Sequence, residues 1–155
     1  PEEGNDDGRF HFMNISKTGF ATFPSNAEDW NPNDEYFSNG RKAARQGVKI
    51  SRVFVIYNIK DLDRKILRKQ IELDLQAGIN IFLIGHELYK TLGAEEDFGL
   101  WDDEYICIIR RDKNGKQIEL FLDSRAESII KAQEWREKIL LNSSTIRSLV
   151  EINKW

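Results

Sequence analysis

The sequence predicts an α/β domain with a mixed sheet, parallel at its centre, with a hairpin toward the C-terminal half and helices on both faces. Ile50 to Tyr57 and Ile79 to Ile84 are apolar runs of strand length, separated by an amphipathic segment from Leu62 to Ala77 that we expect Asp61 to cap. Strand, helix and strand form a βαβ unit, whose strands lie parallel with a right-handed crossover. The turn Asp112-Lys113-Asn114-Gly115 carries the Asn-Gly hairpin signal.

The elements before this unit are shorter. Arg9 to Met13 and Gly19 to Phe23 are aromatic-rich segments that we interpret as strands. We expect Asn31 to cap a helix that has Pro32 at its first position and reaches Gln46.

The remaining elements follow the βαβ unit. We expect a short helix, three strands, a long helix capped by Asp123 or Ser124, and a helix that restarts at Ser143-Ser144-Thr145. Their expected ranges are Glu87 to Leu92, Phe98 to Trp101, Glu104 to Arg111, Lys116 to Leu122, a helix reaching Leu141, and the closing segment.

Length and composition describe one domain. The chain has 155 residues, of which 40% are hydrophobic and 32% are charged, which is typical of a globular protein. We expect a single domain over residues 9–155, preceded by a disordered lead-in over residues 1–8, which are acidic and free of apolar side chains. Apolar runs fall short of the roughly 18 residues of a membrane span, and no signal-peptide pattern appears, so we expect a cytoplasmic protein without a membrane span.

The net charge bears on partners. At a formal charge of −3 the chain is a poor candidate for nucleic-acid binding, which draws much of its free energy from neutralising phosphates. We therefore expect a protein partner or a small ligand, leave a homodimer open, and expect no cofactor. Cys107 is the only cysteine, so no internal disulfide forms, and its apolar neighbours indicate a buried packing role.

Few residues point to chemistry. The segment Tyr57 to Asp61 contains no glycine, which excludes a dinucleotide fingerprint or a P-loop after the first strand of the βαβ unit. His86 follows the second of these strands, where open α/β sheets place their ligand sites, but a lone histidine does not make a catalytic site. The acidic stretch Glu95 to Asp103 offers oxygen ligands for a hard cation, although its spacing matches no EF-hand loop and a solvated connector is the alternative. We expect no catalytic residue and no metal site.

Residues 48–142 resemble the phospholipase D-like superfamily. The strand Ile50 to Tyr57, the helix ending in Gln76-Ala77-Gly78 and the strand Asn80 to Ile84 are similar to the strand–helix–strand unit of that family. The segment Asp97 to Ile106 resembles the family's short strand that ends in Asp and is followed by a hairpin. This resemblance implies one half of the phospholipase D-like fold.

The sequence departs from the family's catalytic motif, His-x-Lys-x4-Asp, in which His attacks phosphorus and Lys steadies the phosphate. With Asp102 as the motif's Asp, Glu95 stands at the His position and Asp97 at the Lys position. A carboxylate does not replace imidazole as the nucleophile, and Asp97 would repel a phosphate. The resemblance therefore implies that phosphodiesterase activity is lost, as in degenerate members that act as regulatory, ligand-sensing or interaction domains.

We interpret the chain as a noncatalytic ligand-sensing or protein-interaction module of a regulatory or signalling protein. The alternative is a metal-dependent hydrolase or phosphodiesterase that uses the acidic cluster Asp97 to Asp103. The ligand site is expected at the carboxyl ends of the parallel strands. Its predicted residues are Asn58, His86, Asp97, Trp101 and Asp102, with Arg52, Arg110 and Arg111 as alternative anion contacts.

Overall fold

The computed structural model describes residues 17–28 and 30–155. The predicted strand Arg9 to Met13 and the expected lead-in at residues 1–8 lie outside this range. None of the helices in the described part of the chain combines the length and the apolar character that a membrane crossing requires.

Seven strands of the described chain form one mixed sheet, in the spatial order β6-β5-β4-β1-β2-β3-β7. The elements are β1 (Thr18–Pro24), α1 (Glu35–Arg45), β2 (Lys49–Ile56), a 3₁₀ helix (Ile59–Asp63), α2 (Lys65–Gln76), β3 (Asn80–Gly85), α3 (His86–Lys90), β4 (Phe98–Trp101), β5 (Tyr105–Arg111), β6 (Gln117–Asp123), α4 (Ala126–Asn142), β7 (Ser144–Ile146) and α5 (Leu149–Ile152).

The centre of the sheet is parallel, as predicted. β1 pairs with β2 and β2 pairs with β3 in parallel, whereas the other pairs are antiparallel. Val53, Phe54 and Val55 on β2 are at most 1% exposed, because helices cover both faces of this strand. A strand buried on both faces needs a continuous apolar run, which is the pattern of the second half of β2, residues 53–56.

Helices cover both faces of the sheet, which confirms the predicted fold class. One core cluster joins one face of the sheet to α1, α2 and α5, and includes Phe37, Leu67 and Ile152. The second cluster joins the other face to α3 and α4, and includes Tyr89 and Ile139. The hairpin of β5 and β6 extends one side of the sheet, and its turn at Asp112 to Gly115 follows the Asn-Gly signal.

A buried ionic cluster fastens α1 and α2 to β2. The Asp74 carboxylate accepts from Arg41 Nε at 3.0 Å, from Arg52 Nε at 2.9 Å and from Gln70 Nε2 at 2.8 Å. All four side chains are buried. Burial opposes the charged form of Arg52, but Asp74 and Tyr36 outweigh it and the pKa of Arg52 is raised. Asp74 thus compensates two cations that have left water.

Two residues predicted to cap helices form other hydrogen bonds instead. Asn31 Oδ1 accepts from the Asn33 backbone N, and Asp34 is the residue that caps α1. Asp61 belongs to the 3₁₀ helix, where it forms a capping box with Asn58, so α2 begins only at Lys65. Both predictions were wrong because a polar side chain near a turn also bonds a backbone N–H two or three residues away.

The C-terminal prediction needs two corrections. Asp123 accepts from the Arg125 backbone N and from Ser128 Oγ, and α4 begins at Ala126. The segment predicted to restart a helix at Ser143 is instead β7, which pairs antiparallel with β3 and places Ile146 opposite Ile81. Pairing with an open sheet edge buries Ile146, which overrides the local helical pattern.

We predict that Asp74→Ala lowers the free energy of unfolding by about 3–5 kcal/mol, because it leaves buried arginines without their carboxylate. Urea denaturation followed by circular dichroism measures the change. Lys69→Ala, an exposed site on the same helix, is the matched control and should shift stability by no more than about 0.5 kcal/mol. Equal effects of the two substitutions would contradict this account of the cluster.

Candidate functional site

The carboxyl ends of β1, β2 and β3 meet at one edge of the sheet. Tyr57 and Asn58 follow β2 directly, and His86 follows β3. Asp97 lies at the same edge, since it directly precedes β4, which runs antiparallel to β1. Parallel strands bring the segments that follow them together at one end, so residues distant in sequence line a common site.

Three side chains form a stacked and hydrogen-bonded group at this edge. The rings of Tyr57 and His86 stack with centroids 3.9 Å apart and planes inclined by 20°. Glu96 Oε1 accepts from Tyr57 Oη at 3.3 Å and lies 3.3 Å from His86 Nε2. Burial, and then the Glu96 carboxylate, raise the pKa of Tyr57, which keeps its phenol protonated as a donor.

Asp97 is a buried carboxylate held by two elements. It is 4% exposed, accepts from Thr22 Oγ1 at 3.2 Å on β1, and pairs with Arg111 Nε at 2.8 Å on β5. Arg111 also donates through Nη1 to the Gly115 carbonyl at 3.1 Å, which fixes the guanidinium against the hairpin turn. Burial raises the pKa of Asp97 more than Arg111 and Thr22 lower it.

A wide, charged cavity of about 710 Å³ opens between the segment before β4 and the β5–β6 hairpin. Its described lining contains five carboxylates and three cationic side chains, a formal excess of two negative charges. They are Glu95, Glu96, Asp97, Asp112, Glu119, Arg110, Arg111 and Lys113. We call this space the charged cavity.

A smaller space of about 300 Å³ lies beside it and is walled by the rings of Phe23, Trp30, Tyr36 and Phe37. We call it the aromatic cavity. Burial raises the pKa of Tyr36 to about 12, so its hydroxyl stays neutral. Both cavities are also lined by Asp97, Ile109 and Arg111, so the buried ion pair forms part of the wall of each.

Asn58, His86, Asp97 and Arg110 lie at the carboxyl edge where the sequence placed them. Asn58 Oδ1 is engaged in accepting from the Lys60 backbone N at 2.9 Å. Arg110 lines the charged cavity and packs its guanidinium over the Phe121 ring at 5.1 Å. Their binding role remains a prediction.

Trp101 and Asp102 lie at the opposite end of the sheet, which corrects their predicted location. Trp101 pairs with Gly19 at the start of β1, and Asp102 Oδ1 accepts from the Lys17 and Thr18 backbone N atoms at 2.9 and 3.0 Å. The reason is that β4 runs from the carboxyl edge of the sheet to the opposite end. Asp97 precedes the strand and Trp101 ends it, so the two residues lie at opposite ends of the sheet. Trp101 is 2% exposed and packs so closely over Gly99 that a Cβ there would lie 2.8 Å from the indole.

Arg52 does not reach either cavity as a free anion contact. Its side chain is 1% exposed, is committed to Asp74, and packs over the Phe37 ring at 5.0 Å. The sequence offered Arg52 as an alternative anion contact, whereas its side chain is held inside the interface with α1 and α2.

Several residues at the edge were not predicted. The sequence contained a signal for Tyr57 and Glu96, since each directly precedes a predicted site residue, Asn58 and Asp97 respectively. The aromatic cavity carried none, because Phe23, Trp30 and the two rings of α1 meet only after β1 and α1 fold together. Within residues 17–28 and 30–155, no group of three or more His, Cys, Asp and Glu side chains is placed to hold a metal ion.

Comparison with known proteins gives a fold. No family model matches the sequence, and no curated protein sequence matches it. The structure is similar to Nuc, a phospholipase D family member from Salmonella typhimurium, with a TM-score of 0.65 and 8% identity over 90% of this chain and 88% of that one. It is also similar to phosphatidylserine synthase from Haemophilus influenzae, with a TM-score of 0.61 and 11% identity over 95% of this chain and 38% of that one.

A third similar structure is TrmBL2, an archaeal chromatin protein with a novel mode of DNA binding. The TM-score is 0.59 and the identity 9%, over 93% of this chain and 50% of that one. The chain therefore has a phospholipase D-like fold, as the resemblance implied. Because this fold also occurs in a DNA-binding protein, our expectation against nucleic acid rests on charge alone and does not fit this comparison.

We predict that Asp97 makes stability fall as pH rises above about pH 4. Because the pKa of Asp97 is raised on folding, its contribution is full below the unfolded pKa and is lost as pH rises through the folded pKa. Urea denaturation compares the free energy of unfolding of wild type and Asp97→Asn across this pH range. The lost contact with Arg111 changes the difference by a constant amount, so the change of the difference with pH reports the titration of Asp97. A difference that instead grows in favour of wild type with rising pH would show that the pKa of Asp97 is lowered.

Proposed function

We propose that the chain is a noncatalytic phospholipase D-like module that senses a ligand or docks a protein partner, within a cytoplasmic regulatory or signalling protein. The observation that carries this proposal is Asp97. At the position where the family motif has its phosphate-binding lysine, this chain has a buried carboxylate that already holds Arg111.

The electrostatics of the carboxyl edge support the loss of phosphodiesterase activity. A phosphoryl group needs cations that are free to bind it, whereas Arg111 is neutralised by Asp97, and carboxylates outnumber Arg110 and Lys113 in the charged cavity. Glu95, at the position of the motif's nucleophile, also lines this cavity and would repel a phosphate.

The histidine at this edge also fits a noncatalytic role. His86 Nε2 faces the Glu96 carboxylate and its ring is stacked on Tyr57. Nucleophilic attack would require this nitrogen to point at a substrate phosphorus with a cation beside it. The metal-dependent alternative lacks a ligand set among the described residues, which also favours a binding role.

We predict that the purified chain hydrolyses bis(p-nitrophenyl) phosphate no faster than buffer, with EDTA or with Mg²⁺, because no nucleophile and phosphate clamp lie together within residues 17–28 and 30–155. Absorbance of released nitrophenolate measures the rate, and His86→Ala should leave it at background. A rate above background that His86→Ala abolishes would overturn the proposal. A rate that appears only with Mg²⁺ would favour the metal-dependent hydrolase.

A specific feature favours a protein partner that is a second copy of this chain. Among residues 17–28 and 30–155, β6 is an edge strand that is hydrogen-bonded to β5 alone, and Ile118, Phe121 and Leu122 on it are 41–59% exposed. An apolar edge strand offers its backbone groups to another strand. Antiparallel pairing of two β6 strands about Leu120 would set Ile118 opposite the partner's Leu122, so the strand is complementary to itself.

We predict a dimer in light scattering at micromolar concentration, because this pairing buries apolar side chains and satisfies edge backbone groups. Ile118→Lys should shift the mass to that of a monomer, since it places a charge within the paired strands. Val150→Lys, also an exposed apolar site, lies on α5 and should leave the dimer intact. A wild-type protein that remains monomeric contradicts this part of the proposal.

A further inference from the structure

Nearly all of α1 and all of β2 lie in a segment that contains cations and no acids. Residues 36–60 include six lysine and arginine side chains and no Asp or Glu. Two of the six, Arg41 and Arg52, are buried and share the single carboxylate of Asp74. The interior where α1 packs on β2 therefore retains one positive charge, which is screened by salt less than an exposed charge would be.

Four exposed cations meet at the amino edge of the sheet, where α1 ends and the parallel strands β1 and β2 begin. Gly47, at a φ of 98°, turns the chain after α1, and the Val48 backbone N donates to the Ala43 carbonyl at 3.1 Å. None of the four forms an ion pair within residues 17–28 and 30–155. They are Lys17, Lys42, Arg45 and Lys49, which we call the basic patch.

Carboxylates also lie at the amino edge, in the turn between β4 and β5. Asp102 accepts from the Lys17 and Thr18 backbone N atoms, and Asp103 pairs with Arg136 at 2.7 Å. This turn lies on the β4 side of β1, whereas α1 packs on β2, on the other side. The positive charge of the basic patch is therefore centred away from these carboxylates.

The net charge of the chain does not oppose an anionic partner at the basic patch. Of the 23 cationic and 26 acidic residues, one and four respectively lie within residues 1–16, so residues 17–155 contain 22 of each sign. The formal charge of −3, on which our expectation against nucleic acid was based, thus comes from the first 16 residues. A neutral domain with cations concentrated at one edge attracts a polyanion to that edge.

The surroundings of the basic patch favour double-stranded nucleic acid over other anionic partners. Within residues 17–28 and 30–49, no large hydrophobic side chain is exposed. A protein interface needs aromatic or apolar anchors at its centre, and a helix bound to a membrane surface needs an apolar face. Single strands are bound by stacking their bases on aromatic rings, whereas the phosphates of a duplex are contacted by Lys, Arg and other polar groups.

We infer that the basic patch binds the phosphate backbone of double-stranded nucleic acid, as a contact that carries no sequence information. The observation behind this inference is the acid-free segment over residues 36–60, whose exposed cations meet Lys17 at one edge of the sheet. None of the four residues lines either cavity, so this surface is separate from the proposed ligand site and goes beyond the proposed function.

Fluorescence anisotropy of a labelled DNA duplex of mixed sequence, titrated with the intact chain, tests the inference. We expect a dissociation constant on the order of 1–100 µM at physiological salt. If all four cations contact phosphates, the logarithm of the affinity should fall against the logarithm of the salt concentration with a slope of about −3 to −4.

Matched variants locate the contact. Lys42→Gln/Arg45→Gln should weaken binding about tenfold and make the slope shallower by about 2, because two phosphate contacts are lost. Lys131→Gln/Lys138→Gln removes the same charge from exposed sites on α4, which packs on the other face of the sheet, and should change the affinity less than about twofold. Circular dichroism checks that each variant is folded, which their exposure leads us to expect.

A second pair, Lys17→Gln/Lys49→Gln, should make the slope shallower by the same amount as the first. The inference is overturned by an absence of duplex binding at low salt, by equal losses in the α1 and α4 variants, or by a slope that neither basic-patch pair changes. Tighter binding of a single strand, of polyglutamate or of anionic lipid vesicles than of the duplex would also overturn it. Each of these results is independent of the hydrolysis assay, which tests the noncatalytic role by itself.

Discussion

A single buried carboxylate, Asp97, joins separate strands at the carboxyl edge of the sheet. It directly precedes β4 and contacts Thr22 on β1 and Arg111 on β5, so it joins strands that are far apart in sequence. Arg111 in turn fixes the hairpin turn through Gly115. Asp97 and Arg111 form part of the wall that the two cavities share, so the pair contributes to the lining of both.

The chain uses its buried charges in two different ways. Asp74 is shared by Arg41 and Arg52, so two cations and one anion are buried where α1 and α2 pack on β2. At the carboxyl edge the balance is reversed, because one arginine is cancelled and acidic side chains line the opening. Arg41 and Arg52 line neither cavity, whereas a phosphate-binding centre requires cations that face the ligand.

The sequence predicted the parts of the fold that local patterns determine. The apolar runs of β2 and β3 and the Asn-Gly turn before β6 identify their elements because burial or turn geometry demands those residue types. β7 was missed because its pairing with β3 is a tertiary contact that outweighs local helix preference. The aromatic cavity could not be predicted, since its rings come from β1, α1 and the loop between them and share no spacing.

Asp102 lies away from both cavities and has a structural role at the start of β1. Asp102 and Asp103 have φ values of 53° and 56°, in the tight β4–β5 turn, a conformation that Asp tolerates better than most residues. From that turn Asp102 accepts from the backbone of Lys17 and Thr18 and so fixes the start of β1. This role of Asp102 is structural and does not involve the residues at the other end of β4. The fold therefore uses the carboxylate at position 102 for a reason that is separate from the cavities at the other end of β4.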